Sequence, residues 1–219
     1  MGNIFNLENG FFTFMGKVCD MLYLSILWLI CCIPIITIGP ATTAMYYTIV
    51  KTIRRDRGYV TREFFRSFKD NLRLGSISTI IFLVLAYVLY VDFNFANVKR
   101  LEGETIGELL FAGFIAVTTI VVFIFLFTFP VLSRFTLNFK GLFKTSFIIS
   151  IKHFPTSLIL TVILLAFLIG VYLIPLLIFI APSLCCYINS FLVERIFKKY
   201  MPKPEGTPEE TGRDLWYWE

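Results

Sequence analysis

The chain has 219 residues, 57% of them hydrophobic and 25 of them Phe, with a mean hydropathy of +0.77. A soluble domain is nearer about 45–50% apolar. Its charge, net +5, is confined to a few short segments, and the long uncharged runs between them show no alternation, which excludes both a soluble globular domain and a membrane β-barrel.

In chain order, Ile4, Leu7, Phe11 and Phe14 lie at helical spacing and predict an amphipathic helix lying in the membrane interface. Met21–Val50 follows without a charge. No small-residue cleavage pattern follows this run, so it is expected to remain as an anchor. Its 30 residues make about 45 Å of helix. That is long for one crossing of a hydrocarbon core of about 30 Å and short for two. Snorkelling of Lys17, Lys51 and Arg54 extends it to residues 18–55. Two short spans, 18–36 and 39–55, then fit; one long bent helix with an external N-terminus is the alternative. In the two-span reading Pro34 ends the outgoing helix and Thr37, Ile38 and Gly39 make the turn. Pro40 then opens the returning helix, where its missing N–H costs nothing.

Residues 51–73 are rich in Lys and Arg. Phe64, Phe65, Phe68 and Leu72 form one helical stripe, with Arg62, Arg66, Lys69 and Arg73 elsewhere on the surface. This predicts a second interfacial helix. A span over 75–92 leads to the more acidic connection 92–108, and a span over 108–133 returns, carrying Pro130. Residues 134–153 are again basic, with Lys140, Phe143 and Lys144 on a third amphipathic segment. The 40 uncharged residues of Phe154–Val193 are enough for two spans, 155–174 and 176–194, reversing near Ile174–Pro175, with Pro182 early in the second. A basic segment, 194–203, precedes a Pro-containing acidic tail, 201–219, expected to be disordered.

Short loops rich in Lys and Arg stay cytoplasmic. Segments 51–73, 134–153 and 194–203 are therefore expected inside, and 92–108 outside. Pro40, Pro130 and Pro182 each precede an aromatic and then a basic end, which suggests three degenerate units. The expected fold is an all-α transmembrane bundle of six spans, or five if the first run is one helix. It is built as three proline-containing hairpins with interfacial amphipathic helices.

The sequence contains no HExxH, GxSxG or Walker A pattern. Five Cys lie in or beside apolar runs, as small buried apolar residues do, and the one His, His153, stands at a helix end. Thr118, Thr119, Thr161 and Asn189 are polar groups of the kind that bond within or between spans. We expect no catalytic residues, no metal, no cofactor and no enzyme activity. The span interiors carry no ionisable acid or base, which disfavours ion-coupled transport.

Trp28, Pro34, Thr37, Gly39, Pro40 and Tyr46, in the run WLICCIPIITIGPATTAMY, resemble the signature of the YesL (DUF624) family. FFRSFKDN from Phe64, and YINSFLVERIF with Tyr187 and Asn189, resemble its later motifs. The resemblance implies a multi-span bacterial plasma-membrane protein with an accessory role in carbohydrate uptake or sensing. It implies partners among ABC importer permeases or sensor kinases, besides the lipid bilayer, and no nucleic acid. The expected docking surface for a partner or for lipid is Arg62, Phe64, Phe65, Arg66, Phe68, Lys69, Arg73, Lys140, Phe143 and Lys144. A small-solute channel or facilitator and a membrane regulator of a sensor kinase are the competing expectations.

Overall fold

The computed structural model describes residues 10–101 and 105–201, and these are helical throughout apart from short connections. Seven α-helices follow one another: α1 Gly10–Cys31, α2 Ile38–Thr48, α3 Val60–Leu101, α4 Thr105–Arg134, α5 Phe139–Lys152, α6 Phe154–Leu173 and α7 Ala181–Phe197. A 3-10 turn over Ile35–Thr37 precedes α2, a π-helical turn over Ile49–Ile53 continues it, and a longer 3-10 segment, Pro175–Phe179, precedes α7. Ile4 and Leu7 of the N-terminal stripe, and the tail beyond Met201, lie outside the described residues.

Among the described residues, four helices are long and apolar enough to cross a membrane: Thr13–Cys31, Val60–Leu101, Gly107–Arg134 and Phe154–Leu173. The stretch Ile38–Ile53 is only about 24 Å long, and the 17 residues of α7 about 25 Å, at 1.5 Å per residue.

Three expected boundaries change. The basic segment after residue 60 is not a separate interfacial helix, because α3 runs unbroken through it and on to Leu101. Nothing between Arg62 and Leu101 except Gly75 opposes a helix, and one internal glycine costs only about 1 kcal/mol. For the same reason most of the expected loop 92–108 is helix. Lys99 and Arg100 fall in the last turn of α3 and Glu108 in the first turn of α4, each at the end its charge favours. Arg100 lies 4.6 Å from the Phe111 ring centroid. Finally, Gly39 and Pro40 are not in a turn: the chain reverses over residues 32–37, and both sit in the first turn of α2. Pro40 still occupies a first-turn position, where no intrahelical hydrogen bond calls for the N–H it lacks.

Gly39 is required by packing. Its N–H donates to Thr79 Oγ1 at 2.9 Å. Thr79 Oγ1 in turn donates to the Gly75 carbonyl at 2.9 Å. A methyl group on Gly39 would overlap Thr79 Oγ1 and lie 2.6 Å from both the Gly75 carbonyl and the Phe129 ring. Pro40 fills the matching space over Gly75, where an added Cβ would meet its ring at 2.9 Å. Small residues let α2 and α3 cross at close range, as membrane helices do. A second close crossing joins α1 to α7. Ser25 Oγ donates to Ser183 Oγ at 2.7 Å, and Ser183 Oγ donates to the Met21 carbonyl at 2.8 Å, both buried.

The core divides into two buried clusters. One joins Met21 and Leu24 of α1 with Ala44, Met45, Ile49, Ile53, Val60 and Phe64. The other joins Tyr46 and Val50 with Phe127, Val131, Leu142, Ile149, Leu160, Val193 and Phe197. α2 belongs to both, so it is the inner helix of the bundle. By contrast Leu165, Leu168, Ile169 and Tyr172 on α6 are exposed, the surface expected to face lipid.

Candidate functional site at the basic end

The three basic segments meet at one end of the bundle. Lys17 on α1 pairs with Asp56 at 3.0 Å. Arg54 donates to the Ser190 carbonyl at 3.0 Å and lies 4.0 Å from the Phe191 ring centroid. His153 and Tyr200 share a 3.1 Å hydrogen bond. The loop that brings Asp56 round turns on Asp56 and Gly58, whose φ angles are 52° and 86°. Only glycine takes the second without strain.

At the centre of this end is a buried carboxylate. Glu194 of α7 accepts two bonds from Arg134 of α4, Nε to Oε1 at 2.8 Å and the Nη2 to Oε2 at 2.6 Å. The Tyr46 hydroxyl of α2 donates to the same Oε1 at 2.9 Å. The side chains of Arg134 and Glu194 are 3% and 4% exposed, so neither charge is satisfied by water. A bidentate pair with an added donor is the geometry in which Coulomb attraction and hydrogen bonding offset desolvation. Removing one partner takes the counter-charge from a buried ion. A second pair, Lys51 to Glu63 at 2.9 Å, ties the π-helical turn to the start of α3.

Beside this clamp is a polar cleft of about 510 Å³ between α3 and the α4–α5 connection, lined among others by Arg66, Ser67, Asp70, Asn71, Ser133 and Asn138. It offers one exposed cation, one carboxylate and several amides and hydroxyls. That set suits polar contacts rather than nucleophilic chemistry. No group of three His, Cys, Asp or Glu that could hold a metal occurs among the described residues.

The motif residues singled out from sequence fall into three sets. Trp28, Thr37, Gly39, Pro40 and Tyr46 are structural ties. Trp28 Nε1 donates to Thr42 Oγ1 at 3.2 Å, and Thr37 Oγ1 lies 2.6 Å from the carbonyls of both Cys31 and Pro34. Pro34 caps the 3-10 turn and is exposed. Pro130 lies within α4 and Pro182 in the first turn of α7. Tyr187 packs edge-to-face on Phe191, centroids 5.1 Å apart, and Asn189 Nδ2 lies 3.6 Å from Cys185 Sγ.

The expected docking set divides. Arg62, Phe65, Arg66, Lys69, Arg73, Lys140 and Lys144 are exposed. Phe64 is not available, being fully buried, and Phe68 stacks on it at 6.2 Å. Phe143 is half-buried, with its ring centroid 5.7 Å from that of Phe82. Sequence reading missed the Glu194–Arg134 pair. The available signal was that Glu194 is the sole acid within the second and third basic segments, both of which border apolar runs.

A family model described as "Protein of unknown function, DUF624" matches residues 21–93. The "Uncharacterized protein YesL" of Bacillus subtilis (strain 168) is 26% identical over 162 residues, covering 72% of this chain and 74% of that protein. No solved structure matches.

Proposed function

We infer, taking as premise that this chain belongs to the DUF624 (YesL) family, that it is an accessory plasma-membrane protein that docks on the permease of a carbohydrate ABC importer. The carbohydrate link rests on the family resemblance, and the docking reading on the geometry of the basic end. That end is a platform locked by two internal ion pairs, Arg134–Glu194 and Lys51–Glu63. Around it stand exposed Arg62, Phe65, Arg66, Lys69 and Arg73. Aromatic and Arg side chains held on a rigid surface are the residue types that anchor interfaces. This platform is the observation that carries the reading.

In the same reading the chain crosses six times, with the basic end cytoplasmic. The Lys17–Asp56 pair puts the start of α1 and the far end of α2 on one side, which supports counting α2 as a returning crossing. Arg54 to Ser190 and Arg134 to Glu194 support the same for α4 and α7. The short length of α2 and α7 fits their inner position, where protein rather than lipid surrounds them.

Co-purification from mild detergent with the permease encoded nearest its gene is the direct test. The expected result is a stable complex that Arg62→Glu combined with Arg66→Glu and Lys69→Glu disrupts while the fold survives. A protein that runs alone beside an intact importer ends the proposal, as would capture of a sensor kinase instead. Accessibility of an N-terminal tag only from the outside would remove the six-crossing arrangement.

A further inference from the structure

A second cavity, of about 450 Å³, lies within the bundle away from the basic cleft. α1, α2, α4, α6 and α7 all contribute to it, and its walls are almost wholly apolar, Phe125, Leu164, Phe167 and Val171 among them. Along α7 it runs from Ala181 to Val193, about 18 Å at 1.5 Å per residue. Drawn out over that length, its volume leaves a channel about the width of a single hydrocarbon chain. A methylene occupies about the volume of a water molecule, roughly 30 Å³, so the space holds a chain of about fifteen carbons. Leu168 and Ile178 line the cavity and are also exposed on the outer surface, the side from which a bilayer component would arrive.

One polar group in this lining has no partner. Trp28 is bonded to Thr42, Thr42 to the Ile38 carbonyl, and the Tyr46 hydroxyl to Glu194. Asn189 Nδ2 faces Cys185 Sγ at 3.6 Å, while its buried Oδ1 has no hydrogen-bond partner among the described residues. Oδ1 is shielded as it stands, but the terminal torsion of an asparagine is broad, so a turn of the amide presents this oxygen to a ligand in the cavity. Leaving a buried amide unpaired is destabilising, and leucine would serve an empty apolar cavity better. A hydroxyl donates to that oxygen, which an ether cannot do.

We propose that this cavity binds a single-chain lipid bearing a hydroxyl, with the hydroxyl at Asn189 and the alkyl chain lying along α7 toward Pro182. Such a molecule comes either from the membrane, as a monoacylglycerol, or from outside it, as a free long-chain alcohol. The proposal is independent of the importer reading, since it requires neither a permease nor the basic surface.

Binding of radiolabelled hexadecan-1-ol, 1-monopalmitoylglycerol and hexadecyl methyl ether to the purified full chain tests it. The methyl ether keeps the chain and removes the donor. Wild type is expected to hold about one hexadecanol or monopalmitoylglycerol per chain, and to bind the ether about tenfold more weakly, the ratio that 1.4 kcal/mol represents. Asn189→Leu should bind alcohol and ether alike. Leu164→Trp, which fills the cavity, should bind neither while retaining its helical circular dichroism. Preference for monopalmitoylglycerol identifies a membrane source, and binding of hexadecanol alone a free amphiphile; both support the site. Equal retention by wild type and Leu164→Trp, or no preference for the hydroxyl in wild type, overturns it. If Leu164→Trp does not fold, the alcohol-to-ether ratio in Asn189→Leu decides alone, and an unchanged tenfold preference there rejects the role of Asn189.

Discussion

α2 and α6 are both uncharged for most of their length, yet they do opposite jobs. α2 is buried almost residue for residue from Gly39 to Val50. It reaches α3 through Gly39, α1 through Thr42, and α7 through Tyr46, whose partner Glu194 is bound in turn by Arg134 of α4. α6 leaves most of its surface exposed, and its Thr161 hydroxyl bonds only its own helix, at the Ser157 carbonyl. Apolar composition therefore marks both the core and the lipid surface. The small and polar residues within the run separate them.

Paired substitutions can break that contrast. The largest effect is expected at the clamp. Glu194→Ala should lower unfolding stability in detergent by about 3–5 kcal/mol, because it takes the bidentate counter-charge away from the buried Arg134 guanidinium. Leu168→Ala on the exposed face of α6 should stay within about 0.5 kcal/mol. Equal losses in chemical or thermal unfolding would erase the inner–outer distinction.

The next test gives one substitution opposite signs. Gly39→Ala forces a methyl into Thr79 and Gly75 and should destabilise by about 1–3 kcal/mol. Gly170→Ala on α6 meets only Leu177 Cδ1, at 3.7 Å, and should stabilise by about 0.5–1 kcal/mol through reduced backbone entropy. Smaller again is Ser183→Ala, which removes the bonds to Ser25 and Met21. A loss of about 0.6 kcal/mol is typical of interhelical bonds in membranes. Thr161→Val, whose bond stays within α6, should be close to neutral.

The smallest effect concerns pH. Burial first, then Lys199 and Lys152, hold the His153 imidazole below its usual pKa of 6.5. The folded state thus favours neutral His153, bonded to Tyr200. Its contribution is fully present above about pH 6.5 and is lost as pH falls through the lowered folded value. Protection of the amides around Tyr200 against exchange, taken relative to the free-peptide rate at each pH, should fall on acidification in wild type and not in His153→Asn; identical pH profiles would contradict this.

Much of this was legible in the sequence. Uncharged runs and their lengths gave the helical membrane class, and the proline-glycine cluster located the first reversal to within a few residues. The exact place of that reversal was not legible. Gly39 and Pro40 look like turn residues locally, and only the presence of Gly75 and Thr79 on another helix makes them packing residues. Phe64 and Phe65 share a helical stripe by spacing, but Val60, Ile49 and Ile53 cover one of them and not the other. The clamp joins positions 46, 134 and 194, whose proximity is set by tertiary packing alone. The unpaired Asn189 had a visible signal, an amide in an apolar run, but its orphaned oxygen depends on the cavity around it.

Of the two internal ion pairs at the basic end, Arg134–Glu194 is the one that ties α4 to α7 and, through Tyr46, to α2. A double-mutant cycle of Arg134→Gln, Glu194→Gln and the double variant, read by unfolding free energy, tests it most directly. The expected coupling is about 2 kcal/mol or more, the double variant losing far less than the two single losses together. Additive losses would mean that Arg134 and Glu194 act independently and that no such lock exists.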